Sequence, residues 1–198
     1  MCAGVLVKST WVLTTAQCVS EKVAADLKVL LGSHRLLTNK KTLNVNAIVR
    51  HPSYDSTTGA HNLALLQLSE AAALSERVAT IALNDVAITS DVASVFYGWG
   101  ALSYGSTASS NTLQTLYRRT LSTSDCRARL SSLVDGNVCA TGPIGQAACT
   151  KDDGGPLVRY DSSKLIGIFS YGTQCSGRLP DVFVDIYIHK SWIDATAV

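Results

Sequence analysis

The sequence predicts a mostly β fold that forms a sandwich or a barrel. Short apolar runs recur along the chain, for example at 11–13, 27–32, 63–68 and 165–169. Gly, Pro, Ser and Asn, which favour turns, separate them. The chain lacks the regular exchange of strands and helical patterns that predicts a parallel α/β sheet.

Two segments have helical character. In the first, around 123–130, Ser124 or Asp125 could cap the start of the helix. The second covers 186–197, where apolar residues recur at helical spacing. A stretch rich in Ser, Gly and Ala, 103–112, is predicted to be an exposed loop.

Length and charge exclude several classes of protein. A chain of 198 residues fits one large domain or two small halves that pack together. With 17 basic and 15 acidic side chains, it gives no electrostatic reason to expect a nucleic-acid partner. No apolar stretch has the length of a membrane span, and no signal peptide is visible in the opening Met-Cys-Ala-Gly.

The six cysteines indicate a disulfide-bonded protein. They lack the paired Cys-x-x-Cys spacing of a zinc ribbon, and six cysteines allow fifteen connectivities. Because disulfides persist in oxidising compartments, we predict a secreted, extracellular protein. Six reduced structural thiols are the alternative.

Three motifs resemble the chymotrypsin- and trypsin-like serine proteases, peptidase family S1. Segment 11–19 reads W-V-L-T-T-A-Q-C-V and is similar to the family's W-V-L-T-A-A-H-C-V. Segment 62–68 reads N-L-A-L-L-Q-L and is similar to D-I-A-L-L-x-L. Segment 149–158 reads C-T-K-D-D-G-G-P-L-V and is similar to C-x-G-D-S-G-G-P-L-V. Weaker matches at 97–100, 168–172, 180–183 and 192–193 extend the resemblance along the chain.

The resemblance implies an all-β fold of two packed antiparallel β-barrels with a C-terminal helix, with the first N-terminal strand missing from the chain. The halves are expected at 1–80 and 92–184 and the helix at 185–198, with 69–91 as the link. The family's pattern also pairs the cysteines as Cys2–Cys18, Cys126–Cys139 and Cys149–Cys175.

All three catalytic positions of the family carry other residues. In the family a Ser attacks, a His takes its proton and an Asp orients the His. Here the His position holds Gln17, the Asp position holds Asn62 and the Ser position holds Asp153. An amide cannot act as a general base, and a carboxylate would repel the developing oxyanion. Since loss of a whole triad costs about 10⁶ in rate, we predict a pseudoprotease with no catalytic residue.

The resemblance also places an oxyanion hole and a specificity pocket. The oxyanion hole corresponds to Lys151 and Asp153, where the family has Gly at the first position, so the Lys side chain is expected to block the site or turn its peptide. The pocket corresponds to Ala147, Ser170, Tyr171, Gly172 and Asp181. Either Asp181, at a position that is usually Gly, fills and closes the pocket, or it offers a shifted acidic floor to a partner's Lys or Arg. Lys151 of the same chain could also reach Asp181.

The remaining histidines do not suggest other chemistry. None of His34, His51, His61 and His189 is at the general-base position. His61 is next to Asn62, but neighbours on a strand point to opposite faces, and His51 is expected at the surface. We predict no metal site, including one built from Asp152, Asp153 and a His, and no cofactor.

The resemblance begins partway into the family's domain. The family's Ile-Val-Gly-Gly terminus, which pairs with the Asp at the position of Asp152, is not in this chain. A fragment, an incomplete sequence and a second polypeptide that completes the barrel are the three explanations. The family's additional disulfide would fall at Ser94 and Arg159, and the three-disulfide pattern resembles invertebrate members.

The predicted function is that of a secreted, non-catalytic serine protease homologue. Such proteins act by protein binding, as decoys, adaptors or cascade cofactors, often in immunity. The expected partners are therefore a protease, an inhibitor or an immune protein. The alternatives are an active endopeptidase with an unusual site and a structural secreted protein. Loops 36–42, 103–112 and 162–164 are candidate contact surfaces.

Overall fold

A computed structural model describes residues 1–37, 41–173 and 175–198. In these ranges the chain forms eleven β-strands and two α-helices, with short 3-10 helices at Gln17–Val19 and Ala24–Asp26. The strands are β1 (Val5–Lys8), β2 (Trp11–Thr14), β3 (Lys28–Leu31), β4 (Lys41–Arg50), β5 (Ala64–Leu68), β6 (Ala93–Gly98), β7 (Gln114–Thr120), β8 (Asn137–Thr141), β9 (Pro156–Arg159), β10 (Leu165–Tyr171) and β11 (Asp181–Asp185). The helices are α1 (Thr123–Arg129) and α2 (Ile186–Thr196).

The strands form two antiparallel sheets. The first five strands make one sheet in the order β1-β2-β5-β4-β3. The last six close a barrel in the order β10-β11-β8-β7-β6-β9. The predicted all-β architecture, two barrel-like sheets followed by a C-terminal helix, is confirmed.

An apolar core joins the two sheets and the C-terminal helix. Leu13 and Leu65 from the first sheet pack in one cluster with Leu165 and Ile168 of the barrel and Ile193 of α2. These five side chains are at most 1% exposed. Burial of a large aliphatic side chain contributes roughly 1.5–3 kcal/mol, so this core fixes the relative position of the two halves.

The helix caps follow from local hydrogen bonding. Ser122, not Ser124 or Asp125, caps α1, because its backbone is extended and its Oγ accepts from the Asp125 N–H at 3.1 Å. The prediction was wrong in register because Asp125 is the third helical residue, whose N–H lacks a helical partner. Asp185 caps α2 by accepting from the Tyr187 N–H.

The three predicted disulfides are all present, linking Cys2 to Cys18, Cys126 to Cys139 and Cys149 to Cys175. They are consistent with an oxidising, extracellular environment. Neither helix in the described ranges is long and apolar enough to cross a membrane.

The candidate contact loops differ in how much of them is described. Loop 36–42 includes residues 38–40, which lie outside the described residues. Loop 103–112 is mostly exposed, as predicted, and loop 162–164 is exposed at its first two residues.

Candidate functional site

The three positions that the resemblance assigns to catalysis lie in different parts of the chain. Gln17 begins a 3-10 helix and its side chain is exposed. Asn62 is 2% exposed: its Oδ1 accepts from the Gln17 backbone N–H at 2.9 Å, and its Nδ2 donates to Ser170 Oγ at 3.0 Å. The Asn62 amide therefore links the first half of the chain to β10 of the barrel.

Asp153 occupies the third position, just before β9. The Ala3 N–H donates to its backbone carbonyl at 2.8 Å. Burial raises the pKa of its side-chain carboxyl. Gly154 follows with φ +82°, and a Cβ on it would collide with the Ala3 carbonyl, so this turn requires glycine.

Lys151, at the predicted oxyanion position, has an unusual backbone conformation. Its φ of 74° lies in the left-handed region, which costs a non-glycine residue roughly 1–2 kcal/mol. Its Nζ donates to the Thr107 carbonyl, in the exposed loop 103–112. The Lys151 side chain therefore contacts this loop and does not reach Asp181.

Asp152 is a buried carboxylate held by backbone donors. The Gly100 N–H donates to its Oδ1 at 2.7 Å and the Cys149 N–H donates to its Oδ2 at 2.9 Å. A Cβ at Gly98 or at Gly100 would overlap the carboxylate, so both glycines make room for it. Burial raises the pKa of Asp152 to about 6, and the two hydrogen bonds, which lower the pKa, offset only part of this rise.

The raised pKa of Asp152 predicts a specific pH dependence of stability. Because the folded state binds this proton more tightly than the unfolded chain, the contribution is fully present below about pH 4 and is lost as pH rises through 6. We expect the unfolding free energy of wild type minus that of Asp152→Asn to fall by up to about 3 kcal/mol between pH 4 and 7.

This difference is measured by urea denaturation of both proteins across the pH range. The amide loses one acceptor, but that cost is independent of pH and leaves the slope of the difference unchanged. His51, whose pKa is lowered to about 4 mainly by burial, contributes the opposite slope in both proteins and cancels. A difference that stays flat between pH 4 and 7 would contradict the prediction.

The predicted specificity pocket contains a buried ion pair. Arg118 Nε and Asp181 Oδ2 are 3.2 Å apart, and the two side chains are 1% and 3% exposed. The Ala148 N–H also donates to Asp181 Oδ2 at 3.2 Å, and Arg118 Nη2 donates to the Gln146 carbonyl at 2.8 Å. Burial raises the pKa of Asp181, and the Arg118 charge acts against that rise.

This pair leaves little room for a ligand. A Cβ on Gly172 would lie 2.9 Å from Asp181 Oδ1, so the carboxylate fills the space beside this strand end. The arrangement favours the interpretation that Asp181 closes the pocket.

Sequence reasoning missed Arg118. The pair joins residues separated by 63 positions, which no local motif reveals. One signal was present: at strand spacing, Arg118 falls on the same face as Leu116, and the structure shows Tyr117 and Arg119 on the opposite, exposed face of β7. Since side chains alternate along a strand, an Arg in the inward register indicates an internal acidic partner.

Three histidines form a cluster that the sequence analysis did not predict. His61 Nδ1 lies 3.0 Å from His189 Nε2, and the His51 ring stacks on the His61 ring with centroids 4.8 Å apart. His51 is half-buried against Trp192, not a free surface residue as expected. The cluster was missed because the loop before β5 and helix α2 are far apart in the sequence and come into contact only when the chain folds.

Comparisons with known proteins agree along the whole chain. The family model described as Trypsin matches residues 1–193. Trypsin-3 of Salmo salar is 32% identical over 98% of this chain and 82% of that protein, and Trypsin of Sus scrofa is 30% identical over 98% and 84%. A solved structure of neuropsin, a serine protease expressed in the limbic system of mouse brain, superposes with a TM-score of 0.91. It is 29% identical to this chain and covers 100% of it, which corresponds to 89% of the neuropsin chain. The chain therefore belongs to the trypsin-like serine protease family.

Proposed function

We propose that this protein is a non-catalytic member of the family that acts by binding another protein, as a decoy, an adaptor or a cascade cofactor. The observation that carries the proposal is the set of residues at the three catalytic positions. The carboxyl of Asp153 replaces the nucleophile, and an exposed Gln17 replaces the base. The Asn62 side chain is hydrogen-bonded to the Gln17 backbone N–H and to Ser170 Oγ.

Acyl transfer needs a nucleophile, a base within reach of it and donors for the oxyanion. Neither Gln17 nor Asn62 titrates near neutral pH, so neither can take a proton from a nucleophile. The nearest histidine in sequence to Asn62 is His61, whose Nδ1 is engaged with His189 on α2. These contacts support a site that does not hydrolyse peptides.

The pocket supports the same proposal. Trypsin-like recognition of a basic side chain uses a free carboxylate at the floor of the pocket. In this chain Ala147 stands at the floor position, and the carboxylate of Asp181 is paired with Arg118. A buried pair of this kind neutralises the charge that would attract a cationic substrate.

Labelling by a fluorophosphonate probe and digestion of a broad peptide library test the lack of activity. We expect no labelling above the heat-denatured protein and no cleavage, because loss of the triad costs about 10⁶ in rate. Trypsin treated in parallel is the positive control. Stoichiometric labelling that a trypsin inhibitor blocks would overturn the proposal and favour an endopeptidase with unusual chemistry.

The binding role and its setting are proposals as well. The three disulfides support secretion. Ser94 and Arg159, at the positions of the family's additional disulfide, are partners across β6 and β9, which supports the assignment of these positions. Immobilised protein should capture a protease, an inhibitor or an immune protein from the native extracellular fluid. Capture of none of these would favour a structural role.

A further inference from the structure

We infer that His51, His61 and His189 form a binding site for a divalent transition metal, with Zn²⁺ as the ion it fits best. One ring nitrogen from each histidine can serve as a ligand, and these three atoms all lie within 4.8 Å of one another. None of the three histidines occupies a position assigned to catalysis or belongs to the Arg118–Asp181 pair, although His61 directly precedes Asn62.

The donor set determines the class of ion. Three imidazoles suit zinc, copper and nickel, whereas calcium and magnesium require oxygen ligands. Zinc sites with three protein ligands and one open position are common, and zinc binds imidazole nitrogen at about 2.0–2.1 Å. His51 and His61 are half-buried, so water can supply the fourth ligand.

The distance between the His61 and His189 ligand atoms is close to that of a tetrahedral site. Two nitrogens bound at that distance stand about 3.4 Å apart, and His61 Nδ1 and His189 Nε2 are 3.0 Å apart. A small rotation of either ring opens the gap for an ion. The His51 ring stacks on the His61 ring, with the two planes 7° apart, and meets the His189 ring edge-on at a centroid distance of 5.3 Å. Because the lone pair of a ring nitrogen lies in the ring plane, the His51 ring must turn out of this stack to supply the third ligand.

The hydrogen bonds around the cluster orient His189 as a ligand. The Asp185 carbonyl can only accept, so His189 Nδ1, at 2.7 Å, carries the proton and Nε2 presents its lone pair to the cluster. A metal-binding histidine usually donates its other N–H in this way. His61 Nδ1 then donates to His189 Nε2. To bind the ion through Nδ1, His61 must carry its proton on its own Nε2 instead.

His51 has one weaker constraint. The Ser53 N–H donates to His51 Nδ1 at 3.2 Å, an exposed and long hydrogen bond. If His51 binds the ion through Nε2, Nδ1 takes up the proton and this bond is lost. The cost is small, because a typical intramolecular hydrogen bond contributes only about 1 kcal/mol.

A bound ion would connect two distant parts of the fold. His51 and His61 flank the loop between β4 and β5, and His189 is on α2. His61 has φ 50° and immediately precedes Asn62, so coordination would restrain the backbone next to the Asn62 link. Zinc should therefore stabilise the folded protein as well as bind it.

Calorimetric titration of the full chain, prepared without a polyhistidine tag, with ZnCl₂ tests the inference. We expect one ion per chain, three imidazole nitrogens at about 2.0–2.1 Å by X-ray absorption, and a rise in Tm of roughly 5–10 °C when free zinc reaches about 100 times its Kd. The variants His51→Gln and His61→Asn should each weaken binding at least about 100-fold.

The variants are chosen to keep the fold. His51 is half-buried, and Asn tolerates the left-handed backbone of position 61. His34→Gln, an exposed histidine outside the cluster, is the matched control and should bind zinc as wild type does. Absence of stoichiometric binding, or binding that both cluster variants retain in full, would overturn the inference. Neither outcome bears on the proposed lack of protease activity, which fluorophosphonate labelling tests separately.

Discussion

Replacing Arg118 with methionine is expected to lower the free energy of unfolding by about 3–5 kcal/mol. The substitution leaves the Asp181 carboxylate 3% exposed with no cation beside it, and Asp181 Oδ1 already has no hydrogen-bond partner within the described structure. An unpaired buried charge cannot regain its lost hydration. Urea denaturation monitored by circular dichroism measures the change.

Position 119 provides a matched control on the same strand. Arg119 also pairs with an aspartate, Asp91, but the two side chains are 60% and 74% exposed. Surface pairs contribute about 0–1 kcal/mol, so Arg119→Met should be nearly neutral. Comparing the loss of unfolding free energy at the two positions separates the effect of burying the ion pair from the effect of losing an arginine.

The double variant Arg118→Met with Asp181→Ala separates the interaction from the packing of the arginine stem. Removal of both charges should restore most of the lost stability, since replacing a buried pair with apolar groups is often neutral. If Arg118→Met costs less than about 1 kcal/mol, the pair is not the closed, dry arrangement described above. If the double variant is as unstable as the single one, packing dominates.

The Arg118–Asp181 pair also shows where sequence reasoning stops. The Asp181 side of the pocket followed from a motif that the resemblance aligned. Local apolar runs coincide with four of the eleven described strands, β2, β3, β5 and β10. The partner of Asp181 was not predictable, because it lies 63 positions away and is brought close only when β7 and β11 both pair with β8.

The histidine cluster was not predicted from the sequence for the same reason: His189 lies far from the other two members along the chain. His61 and His189 are 128 positions apart, and their contact depends on α2 packing back across the first half of the chain. By contrast, the disulfides were predicted correctly, because the family's pattern supplied the pairing that spacing alone left open. The predicted cap of α1 lay two or three residues beyond Ser122, the residue that caps the helix.

The triple variant Gln17→His, Asn62→Asp and Asp153→Ser is expected to react with a fluorophosphonate at least about 10³-fold faster than wild type. The scaffold already holds the required contacts at position 62. The Gln17 backbone N–H donates to Asn62 Oδ1, and the Ser170 hydroxyl, which now accepts from Nδ2, can turn to donate. A carboxylate at this position would therefore keep both hydrogen bonds and orient an imidazole at position 17.

Labelling and peptide cleavage should respond differently in this variant. The probe needs a nucleophile, a base and oxyanion donors, whereas a peptide must also place a side chain in the pocket that Asp181 and Arg118 fill. We expect rapid labelling with little cleavage of substrates that have Lys or Arg before the scissile bond. The control, in which Asp153→Ala replaces Asp153→Ser, should not label.

The outcome distinguishes two ways in which this scaffold could be inactive. Labelling of the triple variant would show that the three side chains alone prevent chemistry and that Lys151, despite its left-handed backbone, leaves the oxyanion donors usable. No labelling of a triple variant with native circular dichroism would contradict the prediction and assign the block to the backbone at Lys151. Adding Lys151→Gly would then test that block, because glycine adopts positive φ without strain and removes the side chain that contacts Thr107.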